Sequence, residues 1–150
     1  MERSPQTLVL DASIATKWFV EEEDSDKALV LRDGHRDGRI ILTAPDLLVY
    51  EVVNALNYNP KVSGDRLTAA VRGLLDLELD LVPPAAEYAA QIARMARKFS
   101  ISAYDASYAA LTAIMGVDMV TADKRLYDKL HRSVRVLLVR DLDLKWTLPR

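Results

Sequence analysis

The chain contains no cysteine among its 150 residues. Disulfide bonds, thiolate zinc sites and cysteine nucleophiles are therefore excluded. Histidine is scarce as well, with only His35 and His131. Both lie in polar segments, so we expect both side chains to be solvated. An active site in this protein is therefore expected to rest on other side chains.

Long apolar runs and an excess of basic residues are also missing. No apolar stretch is long enough to span a bilayer, and the N-terminal apolar run is too short for a signal peptide, so we expect a cytoplasmic protein. Lysine and arginine number 20 against 22 acidic residues, a net charge of −2. The strongly basic footprint of a simple electrostatic nucleic-acid binder is absent. A nuclease whose acidic residues bind metal remains compatible with this balance.

The residues that are present predict an α/β fold. Half of them are hydrophobic, which excludes intrinsic disorder, and 150 residues suit a single domain over 1–150. Short apolar runs alternate with amphipathic segments, which is typical of a mainly parallel sheet of about five strands flanked by helices. The predicted strands are 7–10, 39–43, 80–82, 118–121 and 134–139. The predicted helices are 13–20, 25–36, 45–56 with Pro45 in its first turn, 65–77 capped by Ser63, 85–99, 103–115 ended by Gly116, and 124–131.

Four acidic residues occupy settings in which a carboxylate is unusual. Asp11 and Asp123 each follow a short apolar run that is a predicted strand, whereas Glu51 and Asp105 have mostly apolar neighbours. An ionised carboxylate is rarely buried without a partner, because desolvation is costly. If the fold gathers these four side chains, a hard divalent cation such as Mg²⁺ or Mn²⁺ is their natural partner, since it prefers oxygen ligands.

Each acid taken alone also has an ordinary structural explanation. Asp11 and Asp123 stand where an N-cap is favoured, Ser102 and Asp105 have capping-box spacing, and Glu51 could form a salt bridge. The set is harder to explain in this way. Asp11 and Asp123 share the ligand-binding edge of a parallel sheet if the first and fourth strands are neighbours. Four gathered carboxylates would raise each other's pKa values unless a cation neutralised them.

Four motifs resemble those of a known family when taken in order. They are D-A-S from Asp11, P-x-x-x-x-x-E-V-x-N-A-L from Pro45, Y-D-A-S-Y-A-A-L from Tyr104 and T-A-D-x-x-L from Thr121. Their order is similar to that of PIN-domain ribonucleases, and especially to VapC-like toxins of VapBC toxin–antitoxin pairs. The resemblance covers residues 8–139. It implies a three-layer α/β/α PIN-like fold.

The resemblance also implies functions for individual residues. The protein would hydrolyse phosphodiester bonds in RNA with one or two Mg²⁺ or Mn²⁺ ions. Asp11, Asp105 and Asp123 would bind metal directly, and Glu51 either directly or through water. Supporting polar positions would be Thr121, Ser13 and Asn54. Asn54 lies one helical turn after Glu51 and could therefore orient that carboxylate.

Several basic residues are candidates for contacting RNA. Lys17, one turn beyond Ser13, could reach a phosphate or could be an ordinary exposed lysine. Lys124 and Arg125 directly follow Asp123. A second cluster on a polar helix face could either follow the RNA path or simply be solvated; it consists of Arg94, Arg97 and Lys98.

The resemblance further implies a homodimer and a VapB-like antitoxin. The antitoxin's C-terminal segment would lie over the site and supply a basic side chain that pairs with the acids. The groove for it would be formed by apolar residues of the first two helices, such as Trp18, Phe19, Leu29 and Leu31.

Three other interpretations remain open. The first is a PIN nuclease of RNA processing outside a toxin–antitoxin system, although such proteins tend to carry extra modules. The second is a receiver-like signalling domain with an acidic pocket. It requires an acidic pair after the first strand, where Asp11 stands alone. The third is a binding domain without catalytic activity, despite its four acids.

Overall fold

The computed structural model describes residues 4–143, and a five-stranded parallel sheet forms its centre. The strands lie in the order β3-β2-β1-β4-β5, and every neighbouring pair is parallel. The central strand β1 buries Leu8, Val9 and Leu10 completely or nearly so. The strand bounds are β1 Gln6–Leu10, β2 Ile40–Pro45, β3 Asp80–Val82, β4 Asp118–Thr121 and β5 Val136–Leu138. The predicted strand count is confirmed.

Seven α-helices flank the sheet within residues 4–143. They are α1 Ala12–Thr16, α2 Ser25–Arg36, α3 Leu47–Asn57, α4 Gly64–Asp76, α5 Ala86–Phe99, α6 Ala103–Met115 and α7 Lys124–Leu130. The arrangement is the expected three-layer α/β/α fold. None of the helices in this part of the chain combines the length and apolar character that a membrane crossing requires.

Helix ends that depend on local chemistry follow the sequence closely. The side chain of Ser63 accepts a hydrogen bond from the backbone N–H of Arg66 and caps α4. Gly116 ends α6 with φ of 66°, a left-handed conformation that favours glycine. The predictions for α2 and α6 match the observed bounds, because caps and glycine stops act within one turn of helix.

Two predicted helices are shorter than expected. Helix α1 ends at Thr16 rather than continuing to residue 20. The indole Nε1 of Trp18 donates to the carbonyl oxygen of Ala28, 2.8 Å away, and this buried bond ties the chain after α1 to α2. Pro45 does not begin α3 but ends β2, where it pairs with Val82 of β3. A proline is tolerated at that place because it lies at the end of a strand.

The last strand and the surroundings of α6 also differ from expectation. β5 covers only Val136–Leu138, and a 3-10 helix, Val139–Asp141, follows it. The sequence of α6 is apolar nearly all round, which is typical of a central, buried helix, and residues 106–112 are buried. Its C-terminal Ile114 and Met115 are nevertheless exposed, so this helix is central at one end only.

His35 is not solvated, contrary to expectation. Its Nδ1 accepts a hydrogen bond from the backbone N–H of Leu42 at 3.1 Å, and its Nε2 lies 2.9 Å from the carbonyl oxygen of Leu77. Because the backbone N–H is the donor at Nδ1, Nε2 carries the proton and donates. The half-buried ring thus connects α2, β2 and the end of α4. His131, by contrast, is exposed and stacks on Tyr127.

Candidate active site

The site lies where the order of strands reverses along the sheet. From β1 the chain continues to β2 on one side, and it later returns to β4 on the other side of β1. Leu10 pairs with Val120, and the backbone N–H of Asp11 donates to the carbonyl oxygen of Val120 at 3.1 Å. The first and fourth strands are thus neighbours, which is the condition under which Asp11 and Asp123 share one edge of the sheet. Such a reversal is where open parallel sheets bind ligands.

Asp11 is a buried carboxylate held by two hydroxyl groups. Asp11 is only 7% exposed to solvent. The hydroxyls of Ser13 and Thr121 donate to the same oxygen, Oδ2, at 2.6 and 2.7 Å. Burial raises the pKa of Asp11, and these hydrogen bonds partly oppose that rise. Asp11 stands at the N-cap of α1 but makes no side-chain capping bond, so helix capping does not explain it.

Each of the two hydroxyls also accepts a hydrogen bond from a backbone N–H. Thr121 Oγ1 accepts from the backbone N–H of Asp123, and Ser13 Oγ accepts from that of Ala122, both at 3.0 Å. A hydroxyl has one hydrogen to donate, and in both residues Asp11 receives it. Ser13 and Thr121 therefore hold one oxygen of Asp11 and leave Oδ1 available. Two of the three expected supporting residues, Thr121 and Ser13, thus contact Asp11 directly.

The carboxylate of Glu51 is likewise held by a hydroxyl group, that of Tyr108, which the sequence motifs did not single out. The phenolic hydroxyl of Tyr108 donates to Oε1 of Glu51 at 2.7 Å. Tyr108 is fully buried. Burial raises the pKa of Glu51 first of all, while the bond from Tyr108 lowers it. The signal was present in the sequence, since a tyrosine in a buried helix needs a partner for its hydroxyl.

Asn54 does not have the orienting contact that was expected. It is exposed, and within residues 4–143 no hydrogen bond joins it to Glu51. A spacing of three residues places two side chains on one helical face. It does not ensure that they meet, and here Tyr108 from another helix reaches the carboxylate instead.

Asp105 and Asp123 combine capping with a place in the site. The backbone N–H of Asp105 donates to Ser102 Oγ at 3.0 Å, which is half of the predicted capping box. Asp123 Oδ1 accepts from the backbone N–H groups of Arg125 and Leu126 and so caps α7. The pKa of Asp105 is raised by burial and then by the charge of Asp123. Capping therefore accounts for Oδ1 of Asp123, and Oδ2 lies outside the cap.

The charges of the four acids act on one another. Asp105 and Asp123 both raise the pKa of Asp11, and Asp11 and Asp105 both raise that of Glu51. Within residues 4–143, no three acidic or histidine side chains converge into a ready-made metal site. The donor set still fits a hard divalent ion, because it consists of mutually repelling carboxylates that supply only oxygen ligands.

The basic residues proposed for RNA differ in their surroundings. Lys17 is largely buried and pairs with Glu22 at 3.3 Å, and Lys124 pairs with Asp128. Arg125 lines a cleft of about 200 Å³ whose wall includes Asp105 and Asp123. The exposed cluster on α5 does not line this cleft; it consists of Arg94, Arg97 and Lys98.

Solved structures with the same fold come from several organisms. The chain is similar to PAE2754 from Pyrobaculum aerophilum, with 23% identity and a TM-score of 0.63 over 91% of this chain and 92% of that one. VapBC2 from Rickettsia felis, bound to a DNA fragment from their promoter, gives 10% identity and a TM-score of 0.62 over 89% and 98%. VapBC-5 from Mycobacterium tuberculosis is a member of the VapBC family of toxin–antitoxin systems. It gives 17% identity and a TM-score of 0.56 over 89% of this chain and 98% of that one.

Sequence comparison gives the family. No curated protein matches the chain significantly. The profile of the PIN domain, in contrast, matches residues 8–130. That range contains all four acids together with Ser13, Tyr108 and Thr121. On this match, with the fold in agreement, the chain belongs to the PIN domain family.

Proposed function

We propose that this PIN domain is a metal-dependent endoribonuclease and the toxin of a type II toxin–antitoxin pair. The observation that carries the nuclease proposal is the set of four carboxylates at the reversal of strand order, two of them held by buried hydroxyl groups. Asp11 is buried and Glu51 and Asp105 are half-buried, and the charges of Asp105 and Asp123 raise the pKa of Asp11. Carboxylates in such surroundings are costly for folding alone, which favours a catalytic role.

The mechanism assigns a part to each acid. Asp11, Asp105 and Asp123 would bind one or two Mg²⁺ or Mn²⁺ ions, and Glu51 would bind directly or through water. When bound, such an ion lowers the pKa of a coordinated water and so supplies the nucleophile for phosphodiester hydrolysis. Ser13, Thr121 and Tyr108 keep the carboxylates of Asp11 and Glu51 oriented. Orientation of ligands by hydrogen bonds is a general requirement of metal sites.

The toxin proposal rests on the solved structures as well as on the sequence motifs. One of the similar structures is a member of the VapBC family of toxin–antitoxin systems. The proposed partners are RNA, a VapB-like antitoxin and a second copy of the chain in a homodimer. Trp18 and Leu31 are buried, which contradicts their assignment to the antitoxin groove. Phe19 and Leu29 are partly exposed, and they remain candidates for that contact.

Incubation of the purified protein with structured RNA tests this function. The protein, stripped of any partner, is mixed with a pool of structured RNA and with Mn²⁺ or Mg²⁺. We expect cleavage that EDTA abolishes. The Asp105→Asn variant keeps the shape of the side chain but removes its charge, so we expect it to be inactive. Absence of cleavage in every metal, with the protein folded and free of partner, would contradict the proposal.

A further inference from the structure

A cleft beside two of the acids is also lined by basic residues. It has a volume of about 200 Å³ and lies between the start of α6 and α7. Asp105 and Asp123 line one part of it, and Arg125 and Lys129 line another. Because Arg125 and Lys129 are four residues apart on α7, both project from the same face of that helix.

The two cations of this cleft differ from Lys124 on the same helix. Within residues 4–143 neither Arg125 nor Lys129 forms an ion pair, whereas Lys124 on the same helix pairs with Asp128. Lys129 Nζ donates to the carbonyl oxygen of Ser100 at 3.3 Å, and its charge lowers the pKa of Asp105. Lys129 therefore lies near the acids, and because it is exposed it can contact an anion as well as act on Asp105.

The rest of the cleft is partly apolar and small. Ile101 and Leu126 contribute apolar surface, and Leu126 is almost fully buried. Cavities for drug-sized ligands begin at roughly 300 Å³. A cleft of about 200 Å³ is smaller than that and suits one sugar–phosphate unit.

We propose that this cleft binds a single nucleotide of the RNA, adjacent to the bond that is cut. Arg125 and Lys129 hold its phosphate, and Ile101 contacts its sugar or base. This inference rests on the proposed ribonuclease function and identifies where the substrate lies. It also explains why the phosphate approaches an acidic site, since the two cations offset the charges of Asp105 and Asp123 at that end.

A binding measurement that does not depend on cleavage tests the cleft. Fluorescence anisotropy is recorded for a labelled single-stranded RNA hexamer in EDTA, over a range of salt concentrations. We expect Lys129→Ala and Arg125→Ala each to weaken binding about five- to tenfold, and each to lower the slope of log K against log[salt] by about 0.7, the value for one phosphate contact. Lys129→Arg keeps the charge and should bind as the wild type does.

Arg72→Ala is the matched control, because Arg72 is an exposed arginine on α4 that does not line the cleft. If Arg72→Ala weakens binding as much as Lys129→Ala does, the effect is one of net charge and the cleft assignment is wrong. If the wild type cleaves RNA while both cleft variants bind with wild-type affinity and slope, the assignment is wrong and the nuclease stands. If the wild type neither binds nor cleaves RNA, both proposals are overturned.

Discussion

The phenolic oxygen of Tyr108 on α6 lies 2.7 Å from Oε1 of Glu51 on α3, although 57 residues separate them. The same arrangement occurs at Asp11, where two hydroxyls contact Oδ2 alone. In both residues one carboxylate oxygen is held by a buried hydroxyl and the other is left for a ligand. The orientation of these acids is therefore built into the fold before any ion binds.

Tyr108→Phe removes only the hydroxyl that holds Glu51. We expect the affinity for Mn²⁺, measured by calorimetric titration, to fall about tenfold, as is typical when a group that orients a metal ligand is lost. Tyr88→Phe is the control, since the hydroxyl of Tyr88 is also buried but donates to the carbonyl oxygen of Ser107. It should cost about 1 kcal/mol of stability and leave Mn²⁺ binding unchanged. Equal losses of Mn²⁺ affinity in both variants would show that Tyr108 contributes packing alone.

Thr121→Val keeps the shape of a fully buried side chain and deletes its hydroxyl. The variant loses the bond to Asp11 and leaves the N–H of Asp123 without its acceptor. We expect a loss of about 2–3 kcal/mol in the free energy of unfolding, measured in urea. Thr112→Val is the comparison, because Thr112 donates only to the carbonyl oxygen of Tyr108 within its own helix and should cost about 1 kcal/mol or less. Similar losses at the two positions would contradict the special role of Thr121.

Two substitutions at Asp123 separate its capping role from its proposed metal role. Asn is as good an N-cap as Asp, so Asp123→Asn should change stability by less than about 0.5 kcal/mol, whereas Asp123→Ala should cost about 1 kcal/mol. Both variants lose the charge, and both should bind Mn²⁺ at least about tenfold more weakly. Thermal unfolding and calorimetry measure the two effects. Wild-type Mn²⁺ affinity in Asp123→Asn would reduce Asp123 to a helix cap.

The stability of the metal-free protein should increase on mild acidification. The pKa values of Asp11, Glu51 and Asp105 are raised in the folded chain, mainly by burial. A raised folded-state pKa contributes stability that is complete below the unfolded-state pKa and is lost as pH rises through the folded value. We therefore expect a higher Tm at about pH 5 than at about pH 7.5 in metal-free buffer.

Added Mn²⁺ should reverse that trend, because metal binds the ionised carboxylates and competes with protons. The Asp11→Asn variant, which has no proton to gain at this position, should show a weaker dependence of Tm on pH in metal-free buffer. A metal-free Tm that falls between about pH 7.5 and about pH 5 would contradict the expected burial of these acids.

Much of the fold is a local property of the sequence. The bounds of α2 and α6, the Ser63 cap and the glycine stop at Gly116 agree with prediction. They do so because hydrophobic periodicity, side-chain caps and left-handed glycines act over a few residues. The positions of Asp11 and Asp123, each after a strand, also indicated that both lie at the carboxyl edge of the sheet.

Only the tertiary structure decided what each polar side chain contacts. The pairing of β1 with β4 brings Thr121 against Asp11. Tyr108 of α6, and not Asn54 of α3, contacts Glu51. The bond of Trp18 to α2 ends α1 early. His35 likewise found backbone partners that its polar neighbours in sequence did not suggest. The contacts of Asp11 with Thr121 and of Glu51 with Tyr108 join residues 110 and 57 positions apart, and those of Trp18 and His35 join neighbouring elements. The partner of each of these side chains is therefore set by the packing of helices on the sheet. The sequence by itself determined the helices, the strands and the positions of the acids within them.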